Sequence, residues 1–327
     1  MIFKYLSYRK IKNLVLLWSS YHLSYFLKQN FRWGNYISLS IEPTNSCNLS
    51  CPECPTGTNN LTRKLGLFSI DAFKTMIETN AQNLIYLNFY FQGEPFLNKQ
   101  TTQLIEIASQ QNIYTSSSTN AQLIDKELAN KIVSSGLNRI IISIDGSTQE
   151  IYEKYRKGGR LNLVIEATKN LLAAKREQKS DLKVIFQFLV FRHNEHQIEE
   201  IKQLGSSLGV DKVEIKSAQI YNFENSDNIP RNSRYSRYKR NKEGKYEIKS
   251  KLRNKCWRMW HSAVVTQDLQ VVPCCFDKDA DNTIGNLNQN TIQEIEVSSK
   301  YKKFRQHITD GKSSISICNN CTEGLML

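Results

Sequence analysis

The stretch Cys47-Asn48-Leu49-Ser50-Cys51-Pro52-Glu53-Cys54 sets three thiols at CxxxCxxC spacing on one short loop. A four-iron cube bound there would take protein ligands at three irons and keep the fourth open for chemistry. Zinc also takes thiolates, but a closed zinc site wants four ligands, and the nearest histidine, His22, lies in a separate helical segment. Pro43, Asn45, Asn48 and Pro52 set turns that let the sulfurs converge.

The remaining five of the eight cysteines, Cys256, Cys274, Cys275, Cys318 and Cys321, cluster near the end of the 327-residue chain, with none in the 201 residues between the groups. Structural disulfides would not need that segregation, and the last two cysteines have the metal spacing CxxC. The apolar N-terminal stretch lacks a small-residue cleavage site, so metal-bound thiolates in a reducing, cytoplasmic compartment are expected.

Between the groups the pattern alternates strand and helix. Strands are expected at Ile37 to Glu42, Ile85 to Phe91, Tyr114 to Ser118, Arg139 to Asp145, Lys183 to Val190 and Lys212 to Lys216, with helices near 70–80, 99–111, 124–135, 161–178 and 195–208. Six β/α repeats with short connections imply a parallel sheet with its helices outside and its active site at the carboxyl ends of the strands. The cysteine triad follows the first strand at that end.

The net charge of +13 is unevenly placed. Residues 1–32 carry six basic and no acidic side chains, and residues 231–255 carry eleven basic and two acidic, so the body is nearly neutral. A uniformly basic nucleic-acid binder would not look like this. Residues 5–30 read as a helix whose uncharged part, Leu14 to Leu27, is too short to span a bilayer; it docks on the protein body or makes a peripheral contact with an anionic membrane. Residues 222–255 are polar and basic and read as a linker. A hairpin, Ala263 to Thr266 and Gln270 to Pro273, and a helix from Ile292 to Ile308 are expected beyond it, too little core to stand without a metal staple. The expected divisions are an N-terminal basic amphipathic helix (1–34), a barrel (35–221), a basic linker (222–255) and a cluster domain (256–327).

A CxxxCxxC motif after the first strand of such a barrel resembles the radical S-adenosylmethionine enzymes, over about residues 37–321. The resemblance implies an α/β fold, a partial (β/α)6 TIM-like barrel with a small C-terminal iron-sulfur extension. It implies a 4Fe-4S cluster on Cys47, Cys51 and Cys54, with S-adenosylmethionine chelating the open iron and yielding a 5′-deoxyadenosyl radical on reductive cleavage. Gly93-Glu94-Pro95, preceded by Gln92 where the family has another glycine, is similar to the motif that meets the amino group of S-adenosylmethionine. Ser118 and Asn120 resemble the polar segment near the ribose, and Ser143 and Arg156 match a strand serine and an arginine that contact the ribose or carboxylate. Asp145 reads as a loop or helix-capping residue. Glu53 stands where many members carry an aromatic against the adenine, so adenine packing is expected elsewhere, around Phe188 to Val190. Gln187 and Lys216 face the barrel mouth or its exterior, depending on register.

The C-terminal group resembles the SPASM or shortened twitch extension. Cys256, Cys274, Cys318 and Cys321 are the four ligands it implies for one auxiliary 4Fe-4S cluster, with Cys275 spare; zinc is the alternative there. The reaction implied is hydrogen-atom abstraction from a peptide or protein side chain, or from a sugar-like small molecule, with a reductant such as flavodoxin or ferredoxin. The absence of a peptide-recognition domain before the barrel weighs against a peptide maturase. The competing reading is a non-catalytic iron-sulfur or zinc scaffold whose linker stacks Tyr235 and Tyr238 on bases. The motifs after strands two and four have no purpose in such a scaffold, so no nucleic acid is expected.

Overall fold

A computed structural model describes residues 2–321. The chain opens with helix α1 (Tyr8–Leu27), strand β1 (Ser38–Ile41), α2 (Ile70–Asn80), β2 (Tyr86–Phe89), α3 (Thr101–Gln110) and β3 (Tyr114–Thr119). It continues with α4 (Lys126–Ser134), β4 (Arg139–Ser143), α5 (Gln149–Tyr155), α6 (Leu161–Glu177), β5 (Lys183–Val190), α7 (Ile198–Leu208) and β6 (Lys212–Ser217). The remainder holds β7 (Tyr238–Arg240), β8 (Tyr246–Ile248), α8 (Arg258–His261), β9 (Ser262–Val265), β10 (Gln270–Val272), β11 (Gly285–Asn286), α9 (Ile292–Val297) and α10 (Ser299–Gly311).

The chain divides into two compact units. One comprises residues up to 46, 61–116 and 252–321; the other comprises 47–60 and 117–251. In the first unit β1 pairs in parallel with β2, and β2 with the start of β3. On its other side β1 pairs in parallel with β9, which turns back antiparallel into β10. The C-terminal hairpin therefore extends the sheet begun by the N-terminal strands. Leu39, Ile41, Leu87 and Phe89 alternate into the core at essentially zero exposure, the period-two pattern of strands buried on one face.

At the end of β1, Glu42 is fully buried and receives both Nη atoms of Arg63, at 2.6 and 2.8 Å, and the Gln267 amide at 3.0 Å. A bidentate guanidinium satisfies a buried carboxylate in a way that no lysine would. Burial works against the Arg63 charge, and the hydrogen bond and charge of Glu42 outweigh it, leaving the pKa above its ordinary value.

In the second unit β4, β5 and β6 pair in parallel. Val184, Phe186, Phe188 and Val190 of β5 are fully buried. Helices enter through side-chain caps, Asp125 on the Leu128 amide and Thr148 on the Ile151 amide. Helix α7 stops at Gly209, which enters the left-handed region at φ +82° without the steric cost of a Cβ.

Several elements depart from expectation. Helix α5 was not foreseen, because its seven residues present few apolar positions. The expected helix from Ile292 to Ile308 is broken at Ser298, which is extended and caps the Tyr301 amide of α10. Residues 222–255, expected as a linker, hold the antiparallel β7–β8 pair. Tyr238 is buried there, its hydroxyl donating to Ile220 O at 3.0 Å and accepting from Ile220 N at 2.9 Å, while Lys239 and Arg240 face out. A basic surface thus masks an inward tyrosine, which cannot stack on a base.

Asp211 fastens the edge of the second unit by accepting from Lys175 Nζ at 2.7 Å, Val184 N at 2.9 Å and Lys183 Nζ at 3.0 Å. Burial alone would raise its pKa, but these donors overcome it and hold the carboxyl below its ordinary value. A depressed folded-state pKa gives stability that is complete above the unfolded value, about 3.9, and is lost as pH falls through the folded one. Asp211→Asn is expected to cost about 1 kcal/mol at neutral pH, since the lysines are partly exposed and screened. Urea titrations should show the deficit shrinking below about pH 4; a deficit constant with pH would contradict this role.

Candidate active site

The loop carrying the first cysteines belongs to the second unit. Cys51 is buried, and Cys47 and Cys54 are half-buried. Leu49, Tyr155, Phe191, Ile220 and Tyr238 form the apolar cluster that holds Cys51, and the Tyr155 and Phe191 rings lie 4.4 Å apart. The backbone is tied down by Ser50 N to Lys157 O at 3.0 Å and by Tyr221 N to the Glu53 carboxylate at 3.1 Å. Glu53, where the resemblance leads us to expect an aromatic, therefore anchors the loop.

Two N–H donors lie beside the sulfurs. The Arg156 guanidinium has Nη1 3.9 Å from Cys51 Sγ and donates from Nε to Asp145 Oδ2 at 2.6 Å. Asp145 is fully buried, and its other oxygen accepts the Leu189 amide at 2.6 Å. Asn120 Nδ2 lies 3.9 Å from Cys47 Sγ and donates to Asn48 Oδ1 at 2.8 Å. Burial pushes the Cys51 thiol above its ordinary pKa, while the Arg156 charge pulls it down. Donors on the sulfurs and a nearby cation suit thiolates holding an anionic iron-sulfur group, which displaces the thiol protons on binding.

Asp145 lies in the loop after β4, as expected, where it is the buried counter-ion of Arg156; the helix cap is not its role, since the N-cap of α5 is Thr148. Ser143 is buried at the end of β4, and Ser118 is half-buried on β3. Phe188 is fully buried within β5, and Gln187 beside it is half-buried. Lys216 is exposed and pairs with Glu214 at 3.4 Å, which puts it on the exterior.

Gly57 escaped the sequence reading. A Cβ there would lie 2.5 Å from Cys51 N and 2.6 Å from Cys51 O, so its lack of a side chain lets the loop fold back onto Cys51. Its sole signal is the Cys-Pro-Thr-Gly run after Cys54.

In the first unit, Gly93 has φ +72°, and a Cβ would come within 2.5 Å of the carbonyls of Thr44 and Ser46. Glu94 N donates to Ser46 O at 2.8 Å. The Gly-Glu-Pro segment thus lies on the backbone immediately preceding Cys47 in the chain. Glu94 is buried and caps the short turn from Pro95 to Leu97. Gln92, at the position of the missing glycine, is buried with its amide on Phe91 O.

The second cysteine group also lies in the first unit. Cys256, Cys274, Cys318 and Cys321 are all buried, while Cys275 is half-buried, and no cysteine is in a disulfide. Cys321 N donates to Cys318 O at 3.0 Å and Phe276 N lies 3.5 Å from Cys274 Sγ. The buried Lys312 reaches Cys321 Sγ at 3.5 Å. Burial opposes the ammonium, but the charges of Cys256, Cys321 and Cys318 outweigh it and hold its pKa above the ordinary lysine value. Burial pushes the Cys318 thiol up to about 12. A buried cation beside three of the four sulfurs again fits an anionic cluster. Lys312 left no trace in the sequence beyond lying six residues before Cys318. Among the described residues, no three His, Cys, Asp or Glu side chains are gathered around a position for a single metal ion.

The Radical SAM superfamily pattern matches residues 41–205, and that of the SPASM iron-sulfur cluster-binding domain matches residues 256–322. The chain is 27% identical over 192 residues to the PqqA peptide cyclase of Bradyrhizobium diazoefficiens, covering 58% of this chain and 48% of that protein. It is 29% identical over 174 residues to the mycofactocin maturase MftC of Mycobacterium ulcerans, covering 53% and 45%. The chain spans about half the length of the curated relatives it matches. Among solved structures, Streptococcus suis SuiB bound to S-adenosylmethionine has a TM-score of 0.63 at 14% identity, covering 92% of this chain and 75% of that one. That likeness carries the fold, a partial TIM-like β/α barrel with a C-terminal iron-sulfur extension. The chain belongs to the radical SAM superfamily, whose cofactors are a 4Fe-4S cluster and S-adenosylmethionine, and it carries the SPASM domain of members with auxiliary iron-sulfur clusters.

Proposed function

We propose that this radical SAM enzyme abstracts a hydrogen atom from a side chain of a peptide or protein substrate. The observation that carries the site assignment is the convergence of Arg156 and Asn120 on the sulfurs of Cys51 and Cys47. The peptide substrate is supported by the sequence relatives, a peptide cyclase and a maturase.

Cys47, Cys51 and Cys54 would hold the catalytic 4Fe-4S cluster. When bound, that cluster supplies the electron that cleaves S-adenosylmethionine to a 5′-deoxyadenosyl radical. Arg156 and Asn120 offset the negative charge of the sulfurs, and Asp145 keeps the guanidinium aimed. Leu49, Tyr155 and Phe191 keep water from the buried side of Cys51. Gly93, Glu94 and Pro95 would present their turn to the amino group of S-adenosylmethionine. Ser118, Asn120 and Ser143 would supply polar contacts for its ribose, and Arg156 for its carboxylate. Cys256, Cys274, Cys318 and Cys321 would hold one auxiliary 4Fe-4S cluster, with Lys312 balancing its charge and Cys275 outside the ligand set. A flavodoxin or ferredoxin would deliver the electron.

The test is anaerobic reconstitution followed by assay of 5′-deoxyadenosine formed from S-adenosylmethionine under strong reductant. Cys51→Ala should abolish formation. Cys318→Ala should retain it while iron content falls by about half, because one of two four-iron clusters is lost. No 5′-deoxyadenosine from the parent protein would overturn the enzymatic reading, and unchanged iron in Cys318→Ala would overturn the auxiliary cluster.

Removing one partner of a buried ion pair strands the other. Arg156→Leu is therefore expected to lower stability to urea by about 3 kcal/mol through the uncompensated Asp145. The double variant Arg156→Leu/Asp145→Leu should recover most of that loss without recovering 5′-deoxyadenosine formation. Additive losses in the double variant would mean that the pair is not coupled.

A further inference from the structure

Helix α1 is amphipathic with its faces reversed. Its inward side is mostly polar, with Lys10, Asn13, Ser20 and Ser24 buried beside Leu17. Lys10 Nζ donates to Asn112 O at 2.8 Å, Asn13 Nδ2 to Asn35 O at 2.9 Å, and Phe31 N to Ser24 Oγ at 2.8 Å. These hydrogen bonds, with buried Leu17 and the packing of Tyr21 on Trp257 and Trp260, dock the helix, and its other large apolar residues are left to face outward.

Those residues are large. Tyr8, Ile11, Val15, Trp18, Tyr25 and Phe26 are 45% to 84% exposed. They recur mainly at spacings of three and four, the interval between Trp18 and Tyr25 being bridged by exposed His22, and so form one stripe along a 20-residue helix, about 30 Å long. A contiguous apolar stripe of that length open to water marks a surface made to be covered. Nothing in the ordinary trade between burial and solvation places Trp18 and Phe26 outside and Lys10 inside unless the outside is itself apolar.

The charges identify the cover. Lys4, Arg9, Lys12 and Lys28 are exposed beside the stripe, and residues 1–32 contain no acidic side chain. A second copy laid on the same stripe would bring those cations against one another. An anionic bilayer surface instead pairs them with headgroups while the stripe enters the acyl boundary. Tyr8, Trp18 and Tyr25 are the side chains that settle at that boundary, with a polar tip and an apolar body. No helix among the described residues is long and apolar enough to cross a membrane, so the contact is one that lies along the surface.

We propose that the outward stripe of α1 docks the protein on membranes containing anionic lipid. The experiment is co-sedimentation of the reconstituted full chain with vesicles of phosphatidylcholine alone or of an equimolar mixture with phosphatidylglycerol, alongside light scattering in solution. The parent should sediment with the anionic vesicles and remain in solution with neutral ones. Val15→Glu/Trp18→Glu should reduce binding by about tenfold or more by placing charge in the acyl boundary. Arg9→Glu/Lys12→Glu should do the same by reversing the flanking charge. Both pairs are exposed, so iron content, helicity and 5′-deoxyadenosine formation should be unchanged. Failure of the parent to bind anionic vesicles, or binding indifferent to both variants, would overturn the proposal. So would a solution dimer that Val15→Glu/Trp18→Glu splits, which would make a second copy the cover.

Discussion

Burying a guanidinium and a carboxylate costs several kcal/mol for each ion, and their attraction offsets this only when the geometry is good and the remaining lone pairs are used. The Arg156–Asp145 pair meets both conditions, with a 2.6 Å charge-assisted bond and the second Asp145 oxygen on the Leu189 amide. The pair connects β5, the segment after β4 and the cysteine loop within one unit. Arg156 then has a nitrogen left for Cys51. An arginine fixed on one side by its counter-ion is a rigid donor on the other, and an anionic cluster needs such a donor.

The second cysteine group solves the same electrostatic problem with a lysine. Lys312 is buried among Cys256, Cys318 and Cys321 and retains its charge because those groups surround it. Its compact ammonium can serve several sulfurs from one point, whereas the planar arginine at Cys51 serves one sulfur and one carboxylate. The two sites also differ in ligand count. In the proposed assignment, three cysteines in the first group would leave an iron for S-adenosylmethionine, and four in the second would close the cluster.

The strand and helix order was legible in the sequence because β/α repeats alternate periods of two and 3.6 residues, and β5 appears where expected, Lys183–Val190. The cysteine spacing and the Gly93-Glu94-Pro95 turn were legible because ligand spacing and left-handed backbone leave marks in residue identity. What was not legible depended on distance in space. Asp145 and Arg156 are eleven positions apart and meet across α5, a helix too short to show a period. Lys312 and Gly57 carry no motif, and their roles arise where they pack on a cysteine. Tyr238 was hidden by the cations next to it, since one buried residue in a basic run leaves no pattern. The orientation of α1 was likewise hidden, because periodicity gives the apolar face without saying whether it points inward.

On the proposed assignment, three thiolates would leave one iron open in one cluster while four would close the other. Mössbauer spectroscopy of the anaerobically reconstituted parent protein, before and after addition of S-adenosylmethionine, tests this directly. Two 4Fe-4S clusters, about eight irons per chain, are expected, with about one iron shifting to a distinct signal when S-adenosylmethionine is added. A spectrum unchanged by S-adenosylmethionine would contradict the assignment, as would about four irons per chain, a single cluster.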